Sequence, residues 1–106
     1  MLVATTNDLA GYRIIQHLDM VRGVTVRSRS VVGNLGGAIQ SFFGGSLSIY
    51  TNLAEHARRE AYDLLVDHAR EAGADAVIAM RYDANEIMDG ITEVLAYGTA
   101  VKVAKL

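Results

Sequence analysis

Gly73-Ala74-Asp75-Ala76-Val77 is where the chain passes from one periodicity to another. Upstream of it, Leu53, Ala57, Ala61, Leu64, Leu65 and Ala72 trace one face, and Glu55, Arg58, Arg59, Asp63, Asp67 and Arg70 fill the other positions. That is the stripe of an amphipathic helix. Gly73 stands where a helix is left through a left-handed residue, a conformation glycine adopts without steric cost. Downstream, Ala76-Val77-Ile78-Ala79-Met80 lies within a stretch from Asp75 to Asp83 that reads as a buried strand. The pentapeptide therefore joins a long helix to a core strand, and Asp75 is placed to hydrogen-bond the local backbone of that turn.

The helix starts between Ser48 and Asn52, and Asn52-Leu53-Ala54-Glu55 has the spacing of a capping box. Glu55 and Arg59 form an i,i+4 pair in the favourable order. The alanines on the inner face are small enough to let the helix lie close to a sheet. Asn85 to Gly90 is a polar turn ending in Asp-Gly, a hairpin signal, and Thr92 to Val103 is the last strand. Towards the N-terminus, Tyr12–Leu18 and Met20–Ser28 read as strands forming a hairpin around Leu18-Asp19. In the second, Val24 and Val26 alternate with Thr25 and Arg27, the pattern of a half-buried strand. Leu35, Ala38, Ile39 and Phe42 have helical spacing behind Asn34 as N-cap, and Gly44-Gly45 ends this short helix.

The order strand, strand, helix, helix, strand, strand predicts an α+β two-layer domain, an antiparallel sheet with one long and one short helix on one face. The other face of such a sheet is uncovered in a monomer and here carries many apolar residues, which is the physical case for an oligomer.

Composition sets the limits. The chain has 106 residues, 51% hydrophobic and 21% charged, which fits one globular domain over 1–106. The mean hydropathy of +0.20 is on the apolar side for so small a chain. A net charge of −2 with interspersed signs gives no basic face for nucleic acid. There is no cysteine, so disulfides, thiolate metal sites and thiol nucleophiles are excluded. The first residues lack the basic and apolar regions of a signal peptide, and no apolar run is long enough for a membrane helix. The expectation is a cytoplasmic protein with no membrane partner.

The chain resembles the YbjQ-like family of uncharacterised bacterial and archaeal proteins, which carries a heavy-metal-binding label. The resemblance rests on Thr5-Thr6, Gly11-Tyr12-Arg13-Ile14, Gly44-Gly45, Tyr50, Leu53, Ala57-Arg58 and Ala61. It continues through Gly73-Ala74-Asp75-Ala76-Val77-Ile78 and Tyr97-Gly98-Thr99-Ala100-Val101. It implies a dodecin-like α+β subunit assembled as a homopentamer, with stacking into a decamer as a further step, and it implies no reaction. The family's proline after Thr-Thr is replaced here by Asn7-Asp8, a difference confined to a turn.

The metal label directs attention to His17, His56 and His68. His56 and Glu60 stand i,i+4 on the long helix and His68 and Glu71 stand i,i+3, so each pair can share a divalent metal ion. A surface histidine beside an acid is the commoner meaning of each pair, and soft metals prefer the thiolates this chain lacks. In a pentamer, one histidine per subunit suffices to form a ring. Asn34-Leu35-Gly36-Gly37 and Gly44-Gly45-Ser46 precede helices, where amides can receive phosphate, but glycine as turn or hinge explains them better. Asp75, Asp83, Glu86 and Glu93 with Tyr12, Tyr50 and Tyr97 are the acids and phenols available for catalysis, and no spacing gathers them. The reading is a homo-oligomeric binding or scaffolding protein that takes ligands, metal above all, between subunits. An enzyme whose active site forms across subunit boundaries is the alternative.

Overall fold

The computed structural model describes residues 1–28 and 48–106. The short helix expected over 34–42 and the glycine-rich turns at 33–37 and 44–46 lie outside the described residues. The elements are β1 (Leu2–Val3), β2 (Tyr12–Ser28), α1 (Ser48–Glu71), β3 (Ala76–Met88) and β4 (Ile91–Lys105). They form a sheet in the order β1-β3-β4-β2, with α1 on one face. The α+β class is as the sequence predicts. The sheet is mixed, because β1 runs parallel to β3 while the other pairs are antiparallel.

Several local expectations change, among them the turn expected over Asn85 to Gly90, which is confined to Asp89-Gly90 because β3 runs on to Met88. The predicted hairpin at Leu18-Asp19 is absent. One 17-residue strand runs through these residues and pairs with β4 from Tyr12↔Lys105 to Ser28↔Ile91. A tight turn needs residues that accept positive φ, and this dipeptide offers no glycine. The irregularity is instead absorbed as register shifts between Ile14 and Gln16 and between His17 and Asp19. The helix also begins at Ser48, so Asn52 and Glu55 lie inside it rather than capping it.

Gly73 does end the helix as expected, with φ +81°. Its amide donates to the Arg70 carbonyl and the Ala74 amide to the Ala69 carbonyl, both at 3.0 Å. These paired bonds are the Schellman arrangement. Asp75 then reaches further than its own turn. Its amide donates to Val101 at 2.9 Å and its Oδ2 accepts from the Val103 amide at 3.0 Å, fixing β4 to the start of β3.

Alternation in β3 divides the apolar residues between two faces. Val77 and Met80 join Val21, Ala61, Leu65, Ala69, Ala96 and Ala100 under the helix. Ala76 and Ile78 pack with Val101, Leu9, Ile14 and Val103 in a second cluster. At Gly23 the helix lies almost on the strand: an added Cβ would stand 2.0 Å from the Ala61 carbonyl oxygen and 2.5 Å from the Leu65 nitrogen. The small residues on α1 permit this approach, and Gly23 is their counterpart on β2.

Gly23 also settles which face of β2 meets the helix. Thr25 is 5% exposed beneath α1, whereas Val24 and Val26 are 40% and 48% exposed on the opposite face. The alternation predicted from sequence is present with the opposite polarity, polar side inward. Leu95 and Tyr97, paired with Val24 and Arg22, lie half-buried on the same open face.

Candidate functional site

The inward polar face of β2 brings Thr25 and Arg27 against Glu60 on α1. Glu60 Oε1 accepts from the Thr25 hydroxyl at 3.2 Å, and Oε2 accepts from the Arg27 guanidinium. Arg27 also donates to Thr25 Oγ1 at 2.6 Å and to the Val26 carbonyl at 3.1 Å. The Arg27 hydrogen bond is the main reason the Glu60 carboxyl is held below its ordinary value; partial desolvation opposes it, and the charges of Arg27 and His56 add to it. His56 Nε2 stands 4.0 Å from Glu60 Oε2 on a side chain 73% exposed. The predicted pair is thus adjacent, with its carboxylate already held by an arginine.

The second predicted pair is not brought together by an ion pair. His68 Nδ1 accepts the Arg22 amide hydrogen at 3.1 Å. The Arg22 carbonyl lies at 3.3 Å, the longer contact. Because the amide hydrogen is fixed by the backbone, Nδ1 is the acceptor and the ring proton sits on Nε2. In that tautomer no lone pair is left for a metal. The bond has a structural use as well, because it occupies an amide of β2, the edge strand of the sheet. Glu71 is exposed at the end of the helix and His17 is exposed on β2, paired with Val101.

Above the Glu60 network, a cleft of about 600 Å³ opens between α1 and the β3–β4 hairpin. Leu53, Ala57 and Val94 supply apolar lining, with Arg27, His56 and Tyr82 among its polar residues. The other acids serve the backbone: Asp83 Oδ1 accepts from the Ala84 amide and Glu86 Oε1 from the Gly90 amide, each at 2.9 Å. They do not converge. Among the described residues no group of three His, Cys, Asp or Glu is placed to hold a metal ion. Within one chain, then, these donors do not assemble into a metal centre.

Residues 1–104 match a family model described as "Putative heavy-metal-binding". The chain belongs to this family, YbjQ. A UPF0145 protein of Chromobacterium violaceum is 58% identical over 105 residues, covering 99% of this chain and 90% of that protein. UPF0145 proteins of Burkholderia mallei and Burkholderia thailandensis are each 52% identical over 104 residues, covering 98% of this chain and 94% of theirs. A solved structure from Pediococcus pentosaceus, a DUF74-family protein of unknown function, superposes with a TM-score of 0.64 over 98% of both chains at 19% identity. That likeness shows the fold. No helix among the described residues of this YbjQ member is long and apolar enough to cross a membrane.

Sequence reasoning missed Thr25, Arg27, Arg58 and Tyr82 as residues lining or supporting the site. The signal for the first two was present, since positions 25 and 27 share one face of a strand. What was missing was the face that the helix covers. The predicted Glu55–Arg59 ion pair does not form, because Arg59 lies over the Tyr62 ring at 5.7 Å from its centroid.

Proposed function

We propose that the chain is the subunit of a homo-oligomer, a pentamer in the form the family resemblance implies, that binds or scaffolds ligands between copies. The inverted polarity of β2 carries this reading. Val24 and Val26 face away from the helix, with Met20 59% exposed further along the same strand. Apolar β-branched residues on an open sheet face are stabilised by a covering layer. The occupant to which this reading commits is a second copy of the chain. Met20, Val24 and Val26 all lie on β2, at the edge of the sheet, so one partner lying against a single strand covers them.

Metal binding is the sharpest form of the reading. With no three such donors gathered among the described residues of one chain, a divalent ion would be shared between copies, and His56 is the exposed ligand best placed for it. Glu60 would contribute only by exchanging Arg27 for the ion. His68 with Glu71 would contribute only after the His68 ring changes tautomer.

Light scattering at micromolar concentration tests the assembly, with an expected mass several times 11.4 kDa. A clean monomer would overturn it. Calorimetric titration with zinc or copper tests the metal: saturable heat that His56→Ala removes supports it, and heat unchanged in both His56→Ala and His68→Ala rules these histidines out.

A further inference from the structure

Beside the cleft of about 600 Å³, and sharing His56, Arg58 and Tyr82 with it, lies a second one bounded by Arg58, Arg59, Tyr62 and Tyr82. The Arg58 guanidinium carbon stands 5.9 Å from the Tyr82 ring centroid and that of Arg59 stands 5.7 Å from Tyr62. Consecutive helical residues usually diverge, yet here both cations border one cleft, because Tyr82 on β3 and Tyr62 on α1 draw them in. Neither arginine has a carboxylate partner among the described residues. Cation–π contact leaves guanidinium N–H donors unused, and such donors match the oxygens of an oxyanion in pairs.

We infer that this cleft is an anion site, in which Arg58 and Arg59 together hold the phosphate group of a small phosphorylated molecule or free phosphate. Two fixed positive charges match a dianion better than a single carboxylate, and Glu55, the one acid lining the cleft among the described residues, leaves an excess of positive charge. Asn52 adds an amide donor. Burial, with the neighbouring Tyr62 second, holds the Tyr82 hydroxyl above its ordinary value against the pull of Arg59 and Arg58, so it stays protonated as a donor. The tyrosine rings give an aromatic ester a surface to stack on. The site lies within one chain and does not rest on the assembly proposed above.

The test is titration of the isotopically labelled protein, followed by nuclear magnetic resonance, with inorganic phosphate and with phenyl phosphate at constant ionic strength. Saturable shifts in the 52–62 segment are expected. Arg58→Gln and Arg59→Gln should each weaken binding by about tenfold or more, the loss expected for a charge-assisted hydrogen bond. Arg58→Lys, which keeps the charge and loses the fork, should fall between. Arg70→Gln, an exposed arginine paired with Asp67, should bind as the parent does. Tighter binding of phenyl phosphate would identify an ester as the ligand and tighter inorganic phosphate the free ion, and either supports the site. Absence of saturation, equal shifts with chloride, or binding that survives the double Arg58→Gln, Arg59→Gln change in a folded protein would overturn it.

Discussion

Arg27 and Glu60 join the edge strand to the helix by a guanidinium–carboxylate contact, on the face of the strand where sequence alternation places polar residues. A pair formed there makes folding sensitive to acid. Glu60 binds its proton less readily in the folded chain than its ordinary value of 4.5 would give. The unfolded chain therefore takes up the proton first as pH falls. The stabilisation is complete above that ordinary value and is lost as pH falls through the lowered one. Urea denaturation from pH 7 to pH 3 should show this loss in the parent and a weaker pH dependence in Glu60→Gln. Identical pH profiles would show that the pair contributes nothing to folding.

Gly23→Ala should be among the most damaging single substitutions on β2. Its Cβ would stand 2.0 Å from the Ala61 carbonyl oxygen, which is helix backbone and cannot rotate aside. Either α1 lifts or the strand bends, at a cost of about 3 kcal/mol or more, the upper end of overpacking losses. Thermal denaturation checks it, with Gly11→Ala as a comparison: Gly11 meets steric freedom but has φ +82°, so its cost comes from backbone strain alone.

Val24→Lys together with Val26→Glu should separate assembly from folding. Both valines are exposed in the single chain, so the folded subunit should change stability by only about 0.5 kcal/mol. If a second copy covers that face, light scattering should show a smaller mass while helical circular dichroism persists. An assembly of unchanged mass would place the interface elsewhere.

Ala79→Gly should stabilise the chain slightly. Ala79 has φ +52° where two β3 residues stand opposite Gly98, and the Ala79 amide donates to Thr6 at 2.9 Å. A left-handed alanine costs roughly 1–2 kcal/mol. Glycine removes that strain and gives back about 0.4–1 kcal/mol through a more flexible unfolded chain. The expected net gain is about 1 kcal/mol or less, measurable by urea titration, and a loss would show that the alanine methyl packs more tightly than its half-buried position suggests.

The fold was legible in sequence wherever the deciding physics is local. Helical spacing from Leu53 to Leu65 (Leu64, 41% exposed, apart), the glycine that ends the helix, the apolar strand after it and the Asp-Gly hairpin signal appear as expected, because each depends on residues within a few positions of one another; the turn expected over Asn85 to Gly90 narrows to Asp89-Gly90. The site was legible only as adjacency along the helix. His56 and Glu60 share a face because helical geometry requires it, whereas Arg27 and Thr25 come from a strand more than thirty residues away in the chain.

Local patterns in the chain specify the long helix, its stop at Gly73, the strand that follows and the existence of two unlike faces on β2. Packing between distant segments selects which of those faces meets the helix, keeps Leu18-Asp19 extended and adds β1 as a parallel strand. Alternation records that a strand has two sides and carries no information about what lies against either. That assignment comes from long-range contact, and above all from the space that Gly23 leaves for the backbone of α1.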